Sequence, residues 1–245
     1  MEDSACAAGY TLFLCNSDRS ADKEKTYLHA LVEKMVDGLI LYKTHLSAEE
    51  LIQYRRRCRI VLVDIGADKS LGCDIVNVDD YTGIRQALQL LWQYGHRRIA
   101  FIAGQPDSMS SRDRVRAYHD FYHDLSYPVP QNFVQHGYYD WHSGYVNANN
   151  LLKRLDPPTA ILAANDLMAI GAIKAVQERG LSVPHDISVM GYDDIDMASL
   201  CMPALTTVRQ PKYEMGQCSF RAMLQQLNKE RAPKDITITT LQTEI

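Results

Sequence analysis

Six polar residues, Asp64, Asp79, Asn165, Asp166, Asp193 and Asp194, stand at the ends of short apolar runs. Carboxylates and amides in such places accept or exchange paired hydrogen bonds in a fixed plane, which suits hydroxyl-rich ligands. Each serves equally well as the side-chain cap of a following helix, so the set carries two readings. Arg112, Arg114 and Arg116 open a predicted helix but fan over a wide arc at its period, so they cannot all do one job. One of them, held near the helix N-terminus, would clamp a ligand hydroxyl or carboxylate, and the others would be solvated. The segment Gly137-Tyr-Tyr-Asp-Trp141-His-Ser-Gly144 puts aromatic rings in a loop ahead of a helix. There Trp141 either offers a flat apolar face to a sugar ring or a base, or anchors a core.

Patterns of catalysis are missing from the chain. It has no G-x-S-x-G elbow, no G-x-x-x-x-G-K-[ST] loop, no H-E-x-x-H and no G-x-G-x-x-G. His119 and His123 are one helical turn apart, but Asp120 and Asp124 beside them and the want of a third ligand favour a solvated face over a metal site. The Asp193-Asp194-Ile195-Asp196 run lacks the spaced oxygens and the glycine of a calcium loop. No metal, no cofactor and no enzymatic activity are expected.

The elements that must position these residues alternate along the chain. Short apolar runs at 11–15, 38–42, 60–64, 75–79, 99–103, 133–138, 160–164, 187–191, 205–209 and 236–241 read as strands. Helical spacing at 20–35, from Ser47, after Asp79, and at 111–125, 142–155, 167–179 and 213–229 separates most of them. Ser47-x-x-Glu50 is a capping box, and Gly95 and Gly180 end helices. Strands of this length separated by helices are the pattern of parallel α/β layers with right-handed crossovers.

The chain of 245 residues, 46% hydrophobic and 23% charged, is long enough for one large domain or two smaller ones. With 26 Lys and Arg against 30 Asp and Glu, its net charge of −4 does not equip it to track a phosphate backbone. Six scattered cysteines without a C-x-x-C pair point to reduced thiols in a cytoplasm rather than a disulfide framework. The N-terminus has no basic, then apolar, leader, and no segment reaches a membrane span, so no export and no membrane partner are expected. The α/β series restarts near Gly95 and has more strands than one small sheet holds, which points to two lobes with a ligand cleft between them.

Seven segments in order carry a family resemblance: Val36-Asp-Gly-Leu-Ile40, Asp79 to Gly83, Gly95-His-Arg-Arg-Ile-Ala-Phe-Ile-Ala-Gly104, Arg114 with Tyr118, Pro158 through Asn165-Asp166 to Gly171, Asp186 through Gly191-Tyr-Asp-Asp194, and Pro203 to Gln210. Over nearly the whole chain they resemble the effector-binding core of the lactose-repressor/galactose-repressor (LacI/GalR) transcription regulators. The resemblance implies two doubly wound parallel-sheet lobes like those of periplasmic sugar-binding proteins, closing on a small effector. Carried over residue by residue, it makes Arg114, Asn165 and Asp193 the polar clamp, Trp141 the stacking aromatic, and Asp64 and Gln210 contacts from the other lobe and the crossover. Tyr42 and Lys212 stand where relatives vary. A carboxylate, an amide and an indole favour a sugar or sugar phosphate over a purine.

The resemblance further implies a homodimer or tetramer and three crossings between lobes, one lobe at about 1–79 plus 210–235 and the other at about 80–209 plus 236–245. The family's helix-turn-helix is not in this sequence, so operator DNA is expected as a partner only through that absent part. Relatives also open the core with a strand and a long helix, of which 1–8 would hold only the helix tail. The lost strand would lie between 11–15 and 38–42, leaving unpaired backbone that lowers stability. Two other readings are less favoured: an exported sugar-binding protein of the same lobe architecture, against which the missing leader speaks, and an α/β enzyme acting on a sugar, against which the missing nucleophile–base pair and phosphate loop speak.

Overall fold

Apolar runs buried on both faces set the architecture. In the run Ile60–Val63, Ile60 and Leu62 enter one apolar cluster while Val61 and Val63 enter the opposite one. A period of two does this in a strand covered on both sides. The computed structural model describes residues 1–66, 68–228 and 235–245. In chain order the elements begin α1 (Glu2–Ala7), α2 (Ala21–Glu33), β1 (Gly38–Tyr42), α3 (Ala48–Arg55), β2 (Arg59–Val63) and β3 (Asp74–Val78). They continue α4 (Asp80–Gln93), β4 (Ile99–Ala103), α5 (Met109–Asp124), β5 (Val134–His136), α6 (Trp141–Leu152) and β6 (Ala160–Ala163). The last are α7 (Asp166–Glu178), β7 (Ser188–Asp193), α8 (Asp196–Leu200), β8 (Thr206–Arg209), α9 (Lys212–Leu227) and β9 (Ile238–Leu241).

Two compact units result, residues 1–78 with 211–241 and residues 79–210 with 242–245. The first contains a parallel sheet in the order β1-β2-β3-β9, with α2 and α3 contributing to one apolar cluster and α9 to the other. The second contains a parallel sheet in the order β5-β4-β6-β7-β8, whose central strands β4 and β6 are fully buried. Here the winding reverses at β4, which has β5 on one side and β6 on the other. The carboxyl ends of β4 and β6 are therefore a topological switch point, where open α/β sheets leave a crevice for ligands.

Local signals behave as their chemistry dictates. Ser47 and Glu50 form the reciprocal capping box that opens α3, and Gly95 follows α4 with φ at 90°, which a side chain would oppose.

Three expectations differ from what is observed, and a fourth lies outside the described residues. Residues 11–15 do not form a strand: Thr11 to Asn16 are exposed and pair with no other strand among the described residues. A ladder needs a neighbour, and β1 stands at the sheet edge with β2 as its partner. Residues 236–241 do not join the second unit, because β9 pairs in register with β3, Ile75 opposite Ile238 and Val78 opposite Leu241. The Thr237 N–H donates to Asp74 Oδ1 at 2.7 Å and fixes the entry of β9, so only residues 242–245 return to the second unit. The short helix α8 lies in a segment read as a connection. The expected end of the last helix at Lys229 lies outside the described residues.

Candidate functional site

In the second unit, polar residues at the strand ends are built into one network. Asn165, one residue beyond Ala164 after β6, caps α7: its Oδ1 accepts the Met168 N–H at 3.0 Å, and its Nδ2 donates to the Tyr139 carbonyl at 2.9 Å. The capping reading and the site reading thus fall on one residue. Tyr139 has φ at 64°, and its phenol lies over Gly104 at the end of β4, where any Cβ would collide with it. The contact ties the aromatic to the switch point between β4 and β6.

Arg114, on the buried face of α5, is 2% exposed. Its Nη2 donates to Asp80 Oδ1 at 2.8 Å and its Nη1 to the carbonyl of Ala164. The guanidinium carbon lies 3.8 Å from the centre of the Tyr192 ring, and the Tyr192 hydroxyl donates to the same Asp80 oxygen at 2.7 Å. Burial opposes the charge of Arg114, but Asp80, with Tyr192 and Asp193, outweighs it and pushes the guanidinium above its ordinary range. Burial likewise pushes the Tyr192 phenol up, so it stays a donor. The Nε of Arg114 is buried without a hydrogen-bond partner among the described residues.

Asp193 ends β7 and Gln210 follows β8; the Gln210 Nε2 donates to Asp193 Oδ1 at 2.6 Å. Gln210 is buried, as are Asn165 and Arg114, and Asp193 is half-buried. Asp194 accepts from Arg209 Nε at 2.8 Å. Asp79 is an N-cap, accepting from the Thr82 N–H at 2.9 Å. Arg112 and Arg116 are exposed, the latter paired with Asp113 at 3.1 Å, and His119 and His123 lie on the exposed face of α5.

The structure therefore brings together Arg114, Asn165, Asp193 and Gln210. Trp141 is the first residue of α6, 50% exposed, with its ring edge-on to His142 and Tyr145. Asp140 caps α6 by accepting the Ser143 N–H at 2.7 Å, which puts Trp141 on the helix and Tyr139 in the connection from β5. Tyr139, which the sequence reading did not single out, is a second aromatic beside these strand ends, its ring packed over Gly104. Asp64 belongs to the first unit. It follows β2 with φ at 58° and pairs with Lys43 Nζ at 3.0 Å, beside the exposed Tyr42. Lys212 opens α9 of the same unit. Among the described residues, no group of three metal-ligating side chains occurs and no helix is long and apolar enough to cross a membrane. The six cysteines are free thiols.

Comparison with known proteins gives a consistent set. Residues 88–243 match the family described as "Periplasmic binding protein-like domain". The chain is similar to the HTH-type transcriptional repressor PurR of Proteus mirabilis, 35% identical over 235 residues that cover 94% of this chain and 68% of that protein. It is 36% identical to the same repressor of Edwardsiella ictaluri, with the same coverage of 94% and 68%. Among solved structures it resembles a transcriptional regulator CelR–cellobiose complex, with a TM-score of 0.88, 27% identity and coverage of 99% of this chain and 74% of that one. A LacI-family sugar-binding transcriptional regulator from Escherichia coli, complexed with phosphate, superposes with a TM-score of 0.82 at 29% identity, over 97% of this chain and 85% of that one.

Proposed function

Because the chain belongs to the LacI family of transcriptional regulators and has their periplasmic-binding-protein-like core, we propose that it senses a sugar or sugar phosphate at the carboxyl end of its second sheet. The observation that carries this reading is the network just described, in which Asn165 and Tyr139 meet at the switch point and Asp193 and Gln210 stand at the neighbouring strand ends. An amide, a carboxylate and an amide held in fixed planes match the alternating donors and acceptors of vicinal hydroxyls. The Tyr139 ring supplies the flat apolar face, and Trp141 flanks it from the start of α6. Arg114 donates to Asp80 and the Ala164 carbonyl and braces the strand ends that present Asn165 and Asp193. Asp64 is the corresponding strand-end carboxylate of the first unit. The cellobiose complex and the sugar-binding regulator among the similar structures support the same ligand class.

In this reading the protein is a cytoplasmic homodimer or tetramer. Effector binding favours one conformation over another and so changes operator binding in a molecule that also carries the DNA-binding part. Nucleobases are the second ligand class, because a tyrosine face serves a planar base equally well. A bound sugar recovered unchanged after prolonged incubation fits a sensor, and any product would overturn it. Tyr139→Ala is expected to weaken binding about tenfold or more, roughly 1.4 kcal/mol, and Trp141→Ala to weaken it less. Equal losses in a calorimetric titration would contradict the placement of Tyr139 at the ring face.

A further inference from the structure

Two consecutive residues at the end of β7, Asp193 and Asp194, hold φ at 112° and 54°. Left-handed backbone at non-glycine residues costs free energy and persists only where its surroundings over-determine it. The surroundings here include a carboxylate to which the effector reading gives no task. Asp166, the first residue of α7, is fully buried. Its Oδ2 accepts the Ile195 N–H at 2.8 Å, and its Oδ1 accepts the Thr207 hydroxyl at 2.5 Å. The same Thr207 oxygen accepts the Asp194 N–H at 3.4 Å. Both amides that follow Asp193 therefore run to one side chain, one directly and one through a hydroxyl. Gly191 leaves the room for this, since any Cβ there would collide with the Asp166 carboxylate. Burial pushes the Asp166 carboxyl up, while the Thr207 hydroxyl and the Ile195 N–H act to keep it ionised.

We propose that Asp166 is a positioning residue of the effector site: by fixing the left-handed corner after β7 it sets the direction in which Asp193 presents its carboxylate. The proposal rests on the reading that Asp193 meets the effector. It assigns to the second acid of Asn165-Asp166 a task distinct from that of the cap beside it. Gln210, whose Nε2 donates to Asp193 Oδ1 at 2.6 Å, is a built-in reporter of that direction.

The test uses the ligand-free chain. Backbone amide exchange and the Gln210 side-chain resonance are followed by NMR in the wild type, Asp166→Ala, Thr207→Val and Thr207→Ser. Exchange at Ile195 is expected to rise about tenfold or more in Asp166→Ala, and at Asp194 by a similar factor in Thr207→Val. The Gln210 Nε2 resonance moves in both variants and returns in Thr207→Ser, while amides in β4 and β6 exchange as before. An unmoved Gln210 resonance in folded Thr207→Val would overturn the proposal, and so would a uniform rise across the second unit, which marks a merely structural role. Thr207→Val decides the matter if Asp166→Ala fails to fold. Wild type and Asp193→Ala are also compared with a panel of monosaccharides, disaccharides, sugar phosphates and nucleobases. Equal binding there overturns the effector reading, whereas the Gln210 resonance tests Asp166 alone.

Discussion

The Arg114 guanidinium, the Asp80 carboxylate and the Tyr192 phenol form a buried knot that ties α5, α4 and β7 together. Charges taken out of water are costly, and they are tolerated here because each meets a partner of complementary geometry. Removing one partner strands the other, so Arg114→Ala is expected to cost about 3–5 kcal/mol in urea denaturation. Tyr192→Phe, which removes one hydrogen bond to the carboxylate, should cost about 1–3 kcal/mol. A loss below about 1 kcal/mol for Arg114→Ala would show that the knot does not hold the unit together. At this scale the sequence was half legible. Asn165 and Asp193 could be found because polar residues after apolar runs are visible by position alone. Arg114 and Gln210 emerged only from the family resemblance, since nothing local separates Arg114 from its exposed neighbours Arg112 and Arg116. Tyr139 was not singled out, because its packing over Gly104 is a long-range contact that a sequence does not display.

Among the elements, the amino ends of three adjacent strands share one staple. His96, ahead of β4, bonds through Nδ1 to Thr159 Oγ1 at 3.0 Å, just before β6, and through Nε2 to Ser188 Oγ at 3.0 Å, the first residue of β7. Burial lowers the His96 pKa below its ordinary 6.5. A lowered value means that the unfolded chain takes up the proton first as the pH falls. The stabilising contribution of neutral His96 is therefore complete above 6.5 and is lost as the pH drops through the interval below it. Denaturation midpoints of wild type and His96→Gln should converge as the pH is taken from about 7.5 to about 5.5. A constant difference across that range would remove His96 from the acid response. Periodicity located most strands and helices because a strand covered on both faces must be apolar throughout, as 60–63 and 99–103 are. It failed where pairing, not composition, decides. Residues 11–15 have strand composition but no ladder, and 236–241 were given to the wrong unit because a sequence does not display register with β3.

The whole molecule comprises two α/β units, each with its own sheet and core, and the chain passes between them three times. A sensor of this build responds only as far as its ligand prefers one conformation to another. Composition alone left open whether 245 residues make one domain or two, and the separate sheets answer that at the level of cores. The central claim is that a small polar effector binds at the strand ends around Asp193. It is tested most directly by melting the purified chain, and its Asp193→Ala variant, in the presence of monosaccharides, disaccharides, sugar phosphates and nucleobases. At a hundredfold excess over its dissociation constant a true effector adds about 2.7 kcal/mol, which raises the midpoint of a chain of this size by roughly 5–10 °C. A sugar or sugar phosphate is expected to do so for the wild type and not for Asp193→Ala. No shift with any sugar, or the same shift in both proteins, would contradict it.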